Sequence, residues 1–354
     1  MPGRRPTVTP PDERAQVVAE SRPTDTPVPP LEERLVELPY HRLLRAQPTY
    51  RWWRPLLAIL LLAVFVLLTS FIVVGVGAGI GVLIGEIRTD TAANLEADLL
   101  ALAVIDAGSP FHLTVALLSV VVWLPCVPLA LLCAGIRPAG FATNVLNSVT
   151  FRLRGRWLAT LLLPATVVSL AATVVSVGAG IAFGETLVAP TITPTIVLSI
   201  ALILLIVPFQ AAAEEYVFRG VLMQAIGSWV RWLPLALVIP TLVFVAGHIY
   251  DVWGLLDVGV FGLAAAVLTW RTGGLEAAIV MHALNNIVAF LVLASGILGT
   301  TAVTAEGGSP LGVGITVVTM SGYLLWVERL ARRRGVERMS RIRVTVPVGT
   351  PAAT

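Results

Sequence analysis

Long runs of apolar residues recur along this 354-residue chain and restrict its fold more than any other feature. Each run is near or above the roughly 17–25 residues that a helix needs to cross a bilayer. Hydrophobic residues make up 56% of the chain and charged residues 13%, too little charge to cover a soluble domain of this size. We therefore predict an all-α polytopic membrane protein, a bundle of about eight transmembrane helices. The predicted spans cover residues 55–83, 112–134, 157–183, 196–213, 233–250, 254–270, 275–298 and 311–327.

The composition of the chain divides it into four segments. Residues 1–50 are rich in Pro, Thr, Glu and Arg and lack apolar periodicity, so they are predicted to be a disordered cytoplasmic arm. Residues 51–190 hold the first transmembrane helices, and residues 191–300 hold a membrane core with the motifs described below. Residues 301–354 are interpreted as the last transmembrane helix and a basic cytoplasmic tail.

Arginine is distributed unevenly between alternate loops. Nine arginines precede the first span, up to Arg54, and seven follow the last, whereas one set of alternate loops holds only Arg88. By the positive-inside rule, this pattern predicts a multi-pass protein of the cell membrane with both termini in the cytoplasm. The arginines lie at predicted membrane boundaries and not on a folded basic domain, so no nucleic-acid partner is predicted.

Two adjacent glutamates and an arginine interrupt the apolar run over residues 196–230. Each such charge costs roughly 3 kcal/mol at the centre of a bilayer unless it is paired, so packing alone does not account for them. Glu215 and Arg219 are four residues apart and share a helix face, where they can form an ion pair. Glu214 is rotated about 100° from Glu215 on an α-helix. It is therefore predicted to be the carboxylate left free for chemistry.

Two further polar patterns lie in later spans. Phe244 precedes His248 by four residues, and His282 precedes Asn286 by four residues. Glu-Glu-x-x-x-Arg, Phe-x-x-x-His and His-x-x-x-Asn, in this order on separate helices, resemble the motifs of the CPBP family of intramembrane proteases. This family is also called the CAAX protease and bacteriocin-processing family, or Abi family. The resemblance covers roughly residues 196–295.

The resemblance implies an intramembrane endopeptidase whose substrate is a membrane-associated protein or peptide. Peptide hydrolysis needs a base for the water molecule and donors for the developing oxyanion. A desolvated Glu214 suits the base, His248 shares the proton or orients the water, and His282 with Asn286 can donate to the oxyanion. The residues expected to support them are Glu215, Arg219 and Phe244.

Helix lengths give a first estimate of the depth of these residues. Glu214 lies 17 residues before Arg231 and His248 lies 17 after it, so a helical hairpin places the two at about the same depth. His282 lies nine residues beyond Gly273, which corresponds to about 13 Å against about 25 Å for the other two. A longer Glu-Glu helix, helix tilt or a break at a proline could remove this difference.

We favour a mechanism without metal or other cofactor. Zinc is the alternative, with Glu214, His248 and His282 as ligands and an open position for water. These residues lie on three different helices, however, and Asn286, not a carboxylate, follows His282 by one turn.

Two other functions are consistent with charged residues in a membrane bundle. A non-catalytic scaffold or immunity protein of the same fold would have no use for a free carboxylate. A transporter would place ionisable residues at mid-membrane, but the two halves of the chain show no matching pair of broken helices.

Overall fold

The computed structural model describes residues 31–136, 144–190, 192–306 and 308–347. These residues form a helical bundle, and the predicted fold class, an all-α polytopic membrane protein, is confirmed. The α-helices are α1 (Arg54–Ile84), α2 (Ala92–Ala101), α3 (Pro110–Val121), α4 (Trp123–Cys133), α5 (Asn144–Asn147), α6 (Gly155–Ala182), α7 (Pro194–Glu215), α8 (Met223–Trp229), α9 (Leu233–Ala246), α10 (Val252–Thr272), α11 (Glu276–Ala294) and α12 (Pro310–Arg333). The other elements are strands β1 (Leu31–Pro39) and β2 (Met339–Pro347), a 3-10 helix (Tyr40–Ala46) and a π-helical turn (Tyr216–Leu222).

Seven helical stretches of the described residues are long and apolar enough to cross a membrane. They are α1, α3 with α4, α6, α7 through α8, α10, α11 and α12. The remaining predicted span, residues 233–250, contains the shorter helix α9, which has 14 residues and ends just before Gly247. Its length of about 21 Å is less than the roughly 30 Å thickness of the hydrocarbon core. His248 therefore follows a helix end and does not lie inside a helix.

The span with the two glutamates is not a regular α-helix throughout. Helix α7 ends at Glu215, the π-helical turn follows at once, and α8 continues the same span to Trp229. A π-helical turn accommodates an extra residue, and such turns are frequent at functional sites.

The segment before α1 is ordered in part of the range where a disordered arm was predicted. Residues 1–30 lie outside the described residues, but β1 and the 3-10 helix follow them directly. The Tyr40 hydroxyl of the 3-10 helix donates a hydrogen bond to the carbonyl of Leu146. The apolar side chains buried in this helix are Tyr40, Leu43 and Leu44. Local periodicity did not reveal this order because the partners lie more than 100 residues away in the sequence.

Strands β1 and β2 pair in a two-stranded sheet. The outer residues of the two strands, 31–35 and 343–347, belong to one compact unit. Residues 36–342 form the other unit, which contains the helices and all candidate site residues. The candidate site is therefore described within this unit alone.

The 3-10 helix packs closely on α8. A Cβ atom at Gly227 would lie 2.0 Å from the carbonyl oxygen of His41, so only glycine permits this approach. Arg45 and Tyr50 both donate hydrogen bonds to the carbonyl of Ser228, over 3.2 and 3.3 Å. Protein therefore covers this face of α8. The C-terminal end of the span that holds Glu214 and Glu215 lies against polar groups of the segment before α1.

A buried ion pair fixes the start of α11. Glu276 lies near the end of a predicted span, yet it is fully buried. Arg154, from the segment just before α6, donates from Nε to one carboxylate oxygen at 2.8 Å and from NH2 to the other at 2.7 Å. Helix α11 therefore starts inside the protein.

Candidate active site

Glu215 and Arg219 form an ion pair in the interior of the bundle. Neither side chain has exposed surface, and NH1 of Arg219 donates to Oε1 of Glu215 at 3.0 Å. NH2 of Arg219 donates to the carbonyl of Gly262 on α10 at 2.8 Å. The guanidinium carbon lies 4.5 Å from the centre of the Phe244 ring on α9. Arg219 thus links the glutamate span to two neighbouring helices.

His282 of α11 lies between the two glutamates. Its Nδ1 is 2.8 Å from Oε1 of Glu215, and its Nε2 is 3.3 Å from Oε2 of Glu214. Both contacts can be hydrogen bonds at once only if the ring carries two protons or one carboxyl group carries one. The sequence predicted His282 as an oxyanion donor beside Asn286 and did not predict its contact with Glu215.

Gln210, on the same helix as Glu214, donates a hydrogen bond to its carboxylate. Nε2 of Gln210 donates to Oε1 of Glu214 at 2.8 Å, while Oε2 of the same carboxylate faces His282. Each carboxylate oxygen has two lone pairs, so both oxygens can accept a further hydrogen bond. The Glu214 side chain is 12% exposed, which leaves it accessible to a small molecule such as water.

Hydrogen bonds between side-chain amides connect Gln210 with α11. Nδ2 of Asn286 donates to Oε1 of Gln210 at 3.3 Å, and Nδ2 of Asn285 donates to Oδ1 of Asn286 at 3.4 Å. Gln210 is buried and was not among the predicted site residues. The signal that could have found it is its position one turn before Glu214 on the same helix face.

His248 is half-buried just beyond the end of α9. Its Nδ1 lies 2.8 Å from the carbonyl oxygen of Phe244, to which it must donate, so Nε2 is the acceptor nitrogen of the neutral ring. Its ring centre is 5.7 Å from that of Tyr250. Within the described residues, no hydrogen bond joins His248 to Glu214.

Phe244 packs against both histidines and has almost no exposed surface. Its ring centre lies 4.7 Å from that of His248 and 6.1 Å from that of His282, both in edge contacts. A third edge contact joins it to Phe218, at 5.1 Å. Phe244 has no group that could take part in proton transfer, so it supports the site by packing.

The residues of the zinc alternative do not form a ligand set in this structure. Zinc binds the lone pair of an unprotonated ring nitrogen at about 2.0–2.1 Å. Nδ1 of His282 faces the Glu215 carboxylate, the kind of partner that the sequence did not reveal, and Nε2 lies 3.3 Å from Glu214. Nδ1 of His248 donates to a carbonyl, which leaves Nε2 of that ring as the nitrogen that could bind a metal. Over residues 31–136, 144–190, 192–306 and 308–347, no three His, Cys, Asp or Glu side chains group closely enough to hold a metal ion. A mechanism without metal stays a prediction, and no step proposed below uses a metal.

Comparison with known proteins identifies the part of the chain that carries this site. Residues 194–288 match the family model "Type II CAAX prenyl endopeptidase Rce1-like". This model belongs to the CPBP, or Abi, family, so the resemblance inferred from the three motifs is confirmed. No curated protein and no solved structure matches the chain. The match includes Glu214, His248, His282 and Asn286.

Proposed function

We propose that this chain, which matches a CPBP family model over residues 194–288, is an intramembrane endopeptidase in which Glu214 activates a water molecule without a metal. The observation that carries the proposal is the Glu214 carboxylate, which lies inside an apolar bundle between Gln210 and His282. An ionisable group at membrane depth is costly and is usually retained for function. The family match supports peptide hydrolysis as that function, with a membrane protein or membrane-associated peptide as substrate.

In the proposed reaction, a water molecule is hydrogen-bonded to Glu214. The water oxygen attacks the carbonyl carbon of the scissile peptide bond while Glu214 takes one water proton. Negative charge develops on the carbonyl oxygen, and Asn286 donates to it with the Nδ2 hydrogen that is not directed at Gln210. Nε2 of His248 orients the water. Glu214 then gives its proton to the amide nitrogen as the C–N bond breaks, which restores the carboxylate.

His282 is proposed to act in two stages. Before the attack, it holds Glu214 and Glu215 in position through its two ring nitrogens. Once Glu214 has taken the proton, its oxygen loses most of its charge, and the Nε2–H of His282 turns to the oxyanion beside Asn286. The contact distances support this order, because the 3.3 Å contact with Glu214 is longer than the 2.8 Å contact with Glu215.

The test of this function is a comparison of membrane-bound and secreted peptides from cells that carry the wild-type protein or Glu214→Gln. We expect at least one peptide to be released only by the wild-type protein. Identical peptide profiles, together with no cleavage by the purified protein, would favour the scaffold or transporter alternatives.

Prolonged chelation of the purified protein is expected to leave its activity unchanged. The substrate is a quenched fluorescent peptide that carries the cleavage sequence found in cells, and elemental analysis of the same sample measures bound metal. Stoichiometric zinc, with activity lost on chelation and restored by added zinc, would instead make Glu214, His248 and His282 the ligands.

The proposed orientation has both termini in the cytoplasm, since arginine is concentrated on that side of the eight predicted spans. The fifth span, residues 233–250, is then crossed by α9 together with the non-helical chain that follows it. In a background with both native cysteines replaced by alanine, a membrane-impermeant thiol reagent added outside should label Glu185→Cys and Glu306→Cys. It should not label Arg152→Cys or Arg333→Cys. All four positions are exposed on the protein surface. The reverse labelling pattern would invert the topology.

A further inference from the structure

Gln210 connects two parts of the candidate site that belong to different helices. On α7, its Nε2 donates to Oε1 of Glu214 at 2.8 Å, and its Oε1 accepts from Nδ2 of Asn286 on α11 at 3.3 Å. The glutamine is 5% exposed. A flipped amide would set the Gln210 oxygen against a carboxylate oxygen and its nitrogen against the Asn286 nitrogen. The chemistry of its two neighbours therefore fixes the orientation of this amide.

The hydrogen bonds through Gln210 all run in one direction. Asn285 donates to Asn286, Asn286 donates to Gln210, and Gln210 donates to the carboxylate of Glu214. Bonds in such a series polarise one another in a low-dielectric interior. The series also fixes the Asn286 amide from both ends, with its oxygen towards Asn285 and one N–H towards Gln210. Its second N–H is left for another acceptor.

We propose that Gln210 is a positioning residue that sets the separation between the base Glu214 and the oxyanion donor Asn286. This inference rests on the function proposed above. The base must reach the attacking water while the donor reaches the carbonyl oxygen of the same peptide bond. A misplacement of about 1 Å can lower a catalytic rate about 100-fold. Gln210 acts through its two neighbours and needs no contact with the substrate.

The test compares two buried glutamines of the same membrane span. Gln210→Met keeps a similar volume but removes both hydrogen bonds. Gln224→Met is the matched control, because Gln224 is fully buried and its Nε2 donates to the carbonyl of Val145 at 2.9 Å, away from the site. The full chain in lipid vesicles is assayed with the quenched peptide described above. We expect Gln210→Met to lower kcat roughly 10- to 100-fold with little change in KM, as for a lost hydrogen bond to a charged group.

A double-substitution cycle separates positioning from general destabilisation. If Gln210 acts through Asn286, adding Asn286→Ala to Gln210→Met should lower kcat by much less than it does in the wild-type protein. Gln224→Met should lower the unfolding temperature but leave kcat per folded molecule unchanged. An equal loss of kcat in the two methionine variants, or multiplicative losses in the cycle, would overturn the role of Gln210.

The two proposals fail in different ways. If the wild-type protein shows no cleavage that depends on Glu214, the proposed function fails and the role of Gln210 falls with it. If Glu214→Gln is inactive while Gln210→Met cleaves at the wild-type rate, only the role of Gln210 is overturned.

Discussion

Replacement of Glu214 by glutamine is expected to lower kcat about 10²- to 10⁴-fold, the usual contribution of a general base. Glutamine has the same shape and can still accept the hydrogen bond from Gln210, but it cannot take a proton from water. Because Glu214 is not the partner of Arg219, its replacement leaves the buried ion pair intact. The folded protein should therefore accumulate in the membrane at the wild-type level.

The measurement is kcat of the purified variant on the quenched peptide, normalised to folded protein from size-exclusion chromatography. Asp257→Asn is the matched control, since it also neutralises a partly buried carboxylate in a membrane span but lies outside the hydrogen-bonded cluster. The control is expected to retain its activity. Full turnover by Glu214→Gln would remove this residue from the role of base.

Arg219→Met is expected to destabilise the fold by about 3–5 kcal/mol, because it leaves the fully buried Glu215 without its cation. The substitution also removes the hydrogen bond to Gly262 and the contact with the Phe244 ring. Thermal unfolding in detergent measures the effect. Arg329→Met, at an exposed position of α12, serves as the control and should leave the unfolding temperature within a degree or two of wild type.

A second variant separates loss of charge pairing from loss of packing. Removing both charges with Arg219→Met and Glu215→Leu avoids the unpaired buried carboxylate, so the double variant should recover much of the lost stability. It should remain inactive, because His282 loses the partner of its Nδ1. If Arg219→Met alone unfolded at the wild-type temperature, the ion pair between Glu215 and Arg219 would not be needed to stabilise the interior of the bundle.

The apolar runs predicted most of the bundle because each helix that crosses a bilayer must form all its backbone hydrogen bonds within itself. Helical spacing likewise predicted that Glu215 and Arg219 would meet, which the structure shows at 3.0 Å. These are local relationships along one helix. They can be derived without knowing which helices are neighbours.

The relationships between helices were the part that spacing could not predict. The residue count placed His282 about 12 Å nearer the membrane boundary than Glu214. In the structure, Nε2 of His282 lies 3.3 Å from that carboxylate. The start of α11 is held by the ion pair between Arg154 and Glu276, and α8 is held by its contacts with the segment before α1. Both features depend on partners that are remote in the sequence.

Gln210 was missed for a different reason. Reasoning from the cost of charge in a membrane directs attention to Glu, Asp, Arg and His, whereas a neutral amide in an apolar run carries little signal of its own. Its role becomes visible only when both ends of the amide have neighbours, Glu214 on α7 and Asn286 on α11.

The early end of α9 has a consequence for the supply of the second reactant, water. Residues 247–251 continue outside any helix until Asp251, whose N–H bonds to the carbonyl of Ala305 and whose side chain caps α10. Non-helical backbone at membrane depth persists only where protein or water satisfies its polar groups. The polar backbone groups beside His248 therefore need protein or water as hydrogen-bond partners. Hydrolysis consumes one water molecule per peptide bond, and we expect that molecule to reach Glu214 past this non-helical segment.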